Sequence, residues 1–408
     1  MTELRVSVSN TSPTGGTFLT PFYFGFHDGA FDLFEAGEAA SAGLEQLAED
    51  GVVDGLAAER LAVSPESQGL VVTGDGGPIA SRELTSAIID VDGDTNTSVS
   101  YAAMILPSND AFVGNDEATI LFDENGNFLG PVVSEVSGAN VYDAGTEVNT
   151  ELDAAFLNQM GPNTGVDENG VIELHPGFNG SLGNPVGEGD QNILGGTNAF
   201  GVFIDPVLAD FTQPGAEIVT LHINEVEETA LTSGSRFIGN GVDDLVTGSD
   251  DRDVIAGRNG WDAIEAGGGK DIVAGGAGSD EIDGGAGNDR LLGNRGNDVI
   301  YGGDGNDRIA DGAGDDVVAG GAGNDLLLLG GGEDEVFYTA GDGTDFVFNF
   351  TAGEDRVVLD TDVITTAEDA LALASDRTFG VEIGLEGGGL VLAGVSLGDL
   401  TADDFFVL

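Results

Sequence analysis

The chain has 408 residues, 40% of them hydrophobic and 22 of them Phe, which is enough apolar surface for two folded domains and too much for wholesale disorder. Its 73 acidic and 12 basic residues give a formal charge of -61, which would repel nucleic acid and anionic membrane surfaces alike. With no cysteine it has neither disulfides nor thiolate metal sites, and no segment approaches the ~18 consecutive apolar residues of a membrane span.

The first residues, MTELRVSVSN, place apolar side chains at Leu4, Val6 and Val8, the two-residue period of a strand. They lack the charged start and long apolar run of a Sec-type export signal. Through about residue 225, short alternating segments are separated by Gly, Pro, Asn and Asp turns. LRVSVS, SVSYAAMIL, ATILF and EIVTLHINE read as strands, and SAGLEQLAED as the one convincing helix. Many short strands with such punctuation predict an antiparallel sandwich.

Recognisable catalytic chemistry is missing from this half. His27, His175 and His222 are far apart, none begins an HExxH zinc motif, and His222 falls on the polar face of its alternating strand. A solvated or turn position is expected for each. No GxSxG elbow, GxxxxGK[ST] loop or GxGxxG turn after a strand is present. We therefore expect no catalytic residue, no organic cofactor and no enzyme. His27, Asp28 and Asp32 form the one compact cluster of acids and imidazole that a hydrolase would have to use.

The segments GFHDGAFDLFEAGEAASAGLEQLAEDG (25–51), MILPSNDAFVG (104–114) and YDAGTE (142–147), then the strand near Val219, follow the order of spondin-type domains, which this region resembles. The resemblance implies a C2-like β-sandwich of the kind found in extracellular matrix and bacterial secreted proteins, with one calcium ion at one end. It places the ligands at Asp110, Asp143 and Glu147. Glu147 departs from the family's Asp and reaches one methylene further, which calcium tolerates. Taken without the resemblance, acids on loops at strand ends are more often solvated turn residues.

Residues 226–238 read as a linker. From 239 to 337 the chain divides into eleven nonapeptides without an insertion, the cleanest being GGAGNDRLL (284–292), GGDGNDRIA (302–310) and GGAGNDLLL (320–328). The sixth position is always aspartate: Asp244, Asp253, Asp262, Asp271, Asp280, Asp289, Asp298, Asp307, Asp316, Asp325 and Asp334. The eighth is always a large aliphatic, from Val246 and Ile255 to Leu327 and Val336. A three-residue strand centred on the aliphatic turns that side chain inward, and the glycines at the first, second and fourth positions supply tight turns. Two repeats make one coil, and coils stack about 4.8 Å apart. Aspartates of alternate repeats then align, and two carboxylates one coil apart repel by roughly 3 kcal/mol at an effective dielectric near 20. Hard oxygen ligands in such a row suit Ca²⁺ better than the small, strictly octahedral Mg²⁺.

This segment resembles the RTX, or haemolysin-type, calcium-binding repeat. The first copies depart from it, with Val242 and Asp251 at the fourth position and Lys270 beside Asp271, so weak or empty sites are expected there. RTX repeats also occur behind proteases and lipases, whose catalytic residues this chain lacks.

After residue 337 the register slips by two residues, and AGDGTDFVF offers Asp345 as one more ligand. Residues 326–329 are four leucines that need a cover, which 347–359 is expected to supply. Thr365 and Glu368 read as the capping box of a short helix. The last residues, GVSLGDLTADDFFVL, resemble the uncleaved C-terminal signals of type I secretion. They also read as a last strand packing Phe405, Phe406 and Leu408 on the cap.

The expected architecture is all-β, with a sandwich at 1–225, a linker at 226–238, a parallel β-roll at 239–348, and a cap with the export signal at 349–408. The expected function is that of a secreted, extracellular or surface-associated calcium-binding protein. Its roll would hold several Ca²⁺ and its sandwich one, with a matrix, glycan or cell-surface ligand and the type I secretion machinery as partners. A secreted hydrolase with an unrecognised site, or a structural component of a surface layer or biofilm, are the competing readings.

Overall fold

In the computed structural model, residues 14–15, 75–76, 107–110, 138–139, 145–170, 175–216, 362–363 and 386 are not described; all others are. The chain divides into two compact units, Met1–Glu225 and Val226–Leu408.

The first unit contains, in order, β1 (Thr2–Asn10), β2 (Phe18–Leu19), β3 (Phe22–His27), α1 (Ala42–Asp50), α2 (Asp54–Val63), β4 (Gln68–Val72) and β5 (Leu84–Val91). There follow β6 (Ser98–Leu106), β7 (Ala111–Gly114), β8 (Thr119–Ile120), β9 (Val132–Ser137), β10 (Val141–Asp143), β11 (Glu173–Leu174) and β12 (Glu217–Ala230). One antiparallel sheet has the order β9-β12-β1-β5 and the other β11-β10-β7-β6-β3-β4. Leu4, Val6 and Val8 of the first share one core with Phe22, Phe24 and Phe26 of the second, which makes the predicted sandwich.

Two expectations fail here. A second helix, α2, follows the first; it begins at Val53 without a side-chain cap, so its sequence lacks the usual polar start signal. Packing fixes it instead. A Cβ built on Gly43 of α1 would lie 2.6 Å from the carbonyl carbon of Gly55, so the two backbones are in direct contact. Glu59 of α2 accepts hydrogen bonds from Ser41 Oγ at 2.7 Å and Gly43 N at 2.8 Å, holding the start of α1.

The histidines also differ from expectation, because His27 and His222 are both buried. His222 lies in the middle of its sheet, between β1 and β9, and pairs across from Ser7. Arg5, Ser7, His222 and Asn224 are all buried in neighbouring places on β1 and β12, so this polar face is not a wet one. His175 lies outside the described residues.

In the second unit, Val226–Ala230 pair in parallel with residues 243–247, and Arg236–Ile238 pair in parallel with residues 254–256. The segment read as a linker therefore carries strand structure at both ends. The backbone groups of the roll's first coil need partners, and these residues supply them. Register then advances by eighteen residues per coil: Val246 meets Ile264, Ile282 meets Ile300, and Ile255 meets Val273. The eleven inward aliphatics form one core with Tyr338, Val347, Val357 and Leu390.

Position two is left-handed from the third repeat to the tenth, including the two of these where it is not glycine, with φ 86° at Arg258 and 83° at Asn294. Position one favours glycine for a different reason. A Cβ on Gly293 would lie 2.3 Å from Asp298 Oδ2 and 2.4 Å from the Asp311 carbonyl oxygen.

Beyond the repeats, both sheets continue. Thr344–Phe348 extends one sheet and Arg356–Asp360 the other, covering the inward Leu327 and Leu329 while Leu328 stays exposed. The short helix is Ala367–Leu373. Its cap is Thr366, which accepts from Asp369 N at 3.1 Å, one residue later than the box expected at Thr365 and Glu368. Phe405–Val407 ends one sheet; Phe405 and Phe406 are buried, whereas Leu408 is 49% exposed.

Candidate calcium sites

All eleven sixth-position aspartates, and Asp345 after the register slip, are buried. From Asp253 to Asp334 each immediately precedes the strand whose aliphatic faces the core, so its carboxyl lies in the turn beside that core; Asp244 and Asp345 lie within the first residues of theirs. The carboxyls form two ladders. In one, Oδ1 accepts the backbone N–H of the aspartate one coil earlier: Asp244 N to Asp262, then to Asp280, Asp298, Asp316 and Asp334 in turn, at 2.7–3.0 Å. The other runs from Asp253 N to Asp271, Asp289, Asp307, Asp325 and Asp345 in the same way, at 2.7–2.8 Å. Each carboxylate thus ties two coils with one oxygen.

The other oxygen is left over. Oδ2 of Asp271, Asp289, Asp298, Asp307, Asp316, Asp325 and Asp334 is buried and has no hydrogen-bond partner. A buried ionised oxygen without a partner is costly, and a cation is the partner that such a row of oxygens calls for. The position-one glycines show where it would sit. Cβ atoms built on Gly293 and Gly302 would each meet both Oδ2 of their own repeat and a carbonyl oxygen of the next coil, within 2.8 Å. Carboxylate and carbonyl oxygens facing one small space, with no nitrogen or sulfur donor, fit Ca²⁺. Bound there, calcium would supply the positive charge that lets neighbouring carboxylates stay ionised.

The electrostatics point the same way. Burial, ahead of every other cause, pushes the Asp298 carboxyl up to about 8 and the Asp316 carboxyl up to about 9; neighbouring carboxylates add to both. Asp307 and Asp334 are pushed to about 7, and Asp244 and Asp271 to about 6, again by burial first. Asp325 and Asp345 are raised by burial as well.

Asp253 is the exception among the predicted ligands. Its Oδ2 accepts from Ser249 N and Ser249 Oγ, both at 2.8 Å, so protein donors satisfy it. This agrees with the departure of the second repeat from the consensus. Two buried aspartates were missed. Asp355 continues the first ladder by accepting from Asp334 N at 3.1 Å, and Asp–x–aliphatic at Asp355–Arg356–Val357 was its available signal. Asp311 stands at position one of the ninth repeat, where glycine is the rule.

Of the residues expected to hold calcium in the first unit, Asp110 and Glu147 lie outside the described residues. Asp143 ends β10, 8% exposed, and pairs across from Ala111. In the acid and imidazole cluster, Asp28 Oδ1 accepts from Ser64 Oγ at 2.9 Å and Asp32 is exposed. His27 Nδ1 accepts from Gly29 N at 3.0 Å, so Nε2 carries the proton and donates to Ser100 Oγ, 3.0 Å away. That tautomer is wrong for drawing a proton from the serine. Burial also lowers the His27 pKa, keeping the ring neutral.

A parallel roll with a row of buried carboxylates in its turns defines a calcium-binding protein of RTX type. The family comparisons assign the parts. Residues 13–159 match Spondin_N, and residues 238–273, 265–300, 301–336 and 311–347 match four copies of the RTX calcium-binding nonapeptide repeat. The chain is a spondin domain followed by RTX repeats. Among solved structures it is similar to the crystal structure of extracellular lipase LipA from Serratia marcescens, at 16% identity and a TM-score of 0.20. That match covers 45% of this chain and 42% of the other, so the chain spans less than half the length of that structure. No curated protein matches. Among the described residues, no helix is long and apolar enough to cross a membrane.

Proposed function

We propose that this is a secreted, non-enzymatic calcium-binding protein whose roll folds when it meets calcium outside the cell, and whose spondin domain attaches it to a surface, matrix or glycan. The observation that carries the reading is the row of buried, unpartnered carboxylate oxygens in the two ladders. The repeat region 239–337 holds 22 acidic and 6 basic residues, so without cations its own charge opposes closure. When no site exists in the unfolded chain, metal binding and folding are one process. Low cytosolic calcium keeps the roll unfolded and exportable through a type I channel, with residues 394–408 as the signal.

In the spondin domain, Asp110, Asp143 and Glu147 hold one further calcium. The absence of an enzyme activity is supported by the tautomer and burial of His27. The test is binding of the full-length protein to immobilised matrix proteins and to a glycan array, in millimolar CaCl₂ and in EGTA. Saturable binding lost in EGTA supports the proposal. Hydrolytic turnover abolished by His27→Ala, or no binding to any surface, overturns it.

A further inference from the structure

Asp311 breaks the repeat at a position where a side chain has little room. At this position the other repeats keep a glycine, apart from Ala266 and Leu329, because the space is shared by Oδ2 of the repeat's own aspartate and a carbonyl of the next coil. Asp311 puts a carboxylate there, 1% exposed, in the strand Arg308–Ala313 and two residues from the inward Ile309. Its Oδ1 accepts from Gly312 N, and its Oδ2 has no hydrogen-bond partner.

Two other buried oxygens face the same place. Asp316 Oδ1 accepts from Asp298 N at 2.7 Å and Asp334 Oδ1 from Asp316 N at 3.0 Å, which leaves Oδ2 of each without a partner. Asp311, Asp316 and Asp334 each offer an oxygen, and these lie within 4.8 Å of one another; among the described residues they are the one such group of three. Three buried acids at this spacing with no basic partner between them call for a cation.

We propose that Asp311, Asp316 and Asp334 form a three-carboxylate calcium site, a turn of the roll with one ligand added to its consensus aspartates, holding its ion more tightly than the other turns do. Affinity at oxygen sites rises with the number of charged ligands and the rigidity of the site. The third carboxylate adds charge here, and the rigidity of the ladders is kept, because all three side chains are anchored through Oδ1. Burial raises the pKa of all three acids, which is consistent with a site built to be neutralised. The inference rests on the calcium reading of the roll and adds a ligand that the repeat consensus does not contain.

The test uses the full-length protein and calcium alone, titrated against a chromophoric chelator. Asp311→Gly restores the consensus residue, and Asp311→Asn keeps the shape without the charge. In the parent, one ion should be held at least tenfold more tightly than the rest. In both variants that tight phase should disappear, its ion joining the weaker phases in Asp311→Gly, with Trp261 fluorescence at saturating calcium as in the parent. An unchanged tight phase in Asp311→Gly and in Asp311→Asn would overturn the proposal while leaving the calcium roll intact. A parent that binds no calcium would instead overturn the broader reading.

Discussion

Replacing Asp298 by Asn should move stability in opposite directions with and without calcium. Asp298 is 1% exposed, its Oδ1 accepts from Asp280 N at 2.8 Å, and burial pushes its carboxyl up to about 8. An unfolded aspartate titrates near 4, so the folded value is raised. The stability tied to this group is therefore fully present below about pH 4 and is lost as pH rises through about 8. At pH 7 the metal-free fold must keep the carboxyl protonated about three pH units above its ordinary value. At about 1.4 kcal/mol per unit, that costs about 4 kcal/mol. Asn keeps the shape and the Oδ1 bond but carries no charge, so it removes this cost.

In calcium the same substitution deletes a ligand oxygen and points an amide toward the Asp311 carbonyl. The variant should thus be more stable than the parent in EGTA, by up to about 4 kcal/mol, and less stable in millimolar CaCl₂, with a higher calcium midpoint. Urea unfolding followed through Trp261, the single tryptophan and 7% exposed in the third repeat, reads the calcium condition; in EGTA, where the parent roll is unfolded at pH 7, the comparison is the pH at which β signal appears on acidification, higher in the variant. The reasoning is refuted if the variant is destabilised in EGTA or matches the parent in calcium.

The same sign applies to the whole metal-free roll. With Asp244, Asp271, Asp307, Asp316 and Asp334 raised to between about 6 and about 9, circular dichroism in EGTA should gain β signal as pH falls from 9 to 5; loss of signal over that window contradicts it. Because Ser249 already satisfies Asp253, Asp253→Asn should leave the calcium midpoint within about twofold of the parent, whereas Asp271→Asn should raise it clearly; equal effects would show that both bind alike. Asp143→Asn should remove one calcium from the total measured by calorimetry, and an unchanged stoichiometry would dismiss the spondin site.

The roll was legible because its signal is redundant. An aspartate and an aliphatic recur at fixed spacing, and one pair per repeat fixes the pleat, the inward face and the ladder at once. Where that redundancy stops, reading became harder. Asp355 lies 21 residues after Asp334 instead of 18, so the period no longer points to it. Asp311 is hidden for the opposite reason: it sits in perfect register but at a position where only glycine was sought.

In the first unit, α2 lacks a polar cap, and what positions it is the approach of Gly43 to Gly55, a tertiary contact with no local pattern. His222 was misjudged because alternation separates the two faces of a strand but does not say whether the polar one is wet. Arg60 shows the same limit: its guanidinium donates to Tyr23 at 2.6 Å and to Ser67, and packs over Gly25 and Gly69, residues distant in sequence.

The central claim is that calcium and the fold of the roll are one event, and the ladder amides report it directly. The N–H groups of Asp262, Asp271, Asp280, Asp289, Asp298 and Asp307 each donate to a carboxylate of the next coil. Hydrogen exchange of the full-length protein should find these amides unprotected in EGTA and strongly protected in millimolar CaCl₂, with the amides that pair β1 to Val219–Glu225 protected in both. Equal protection of the ladder amides in EGTA and in calcium would contradict the account.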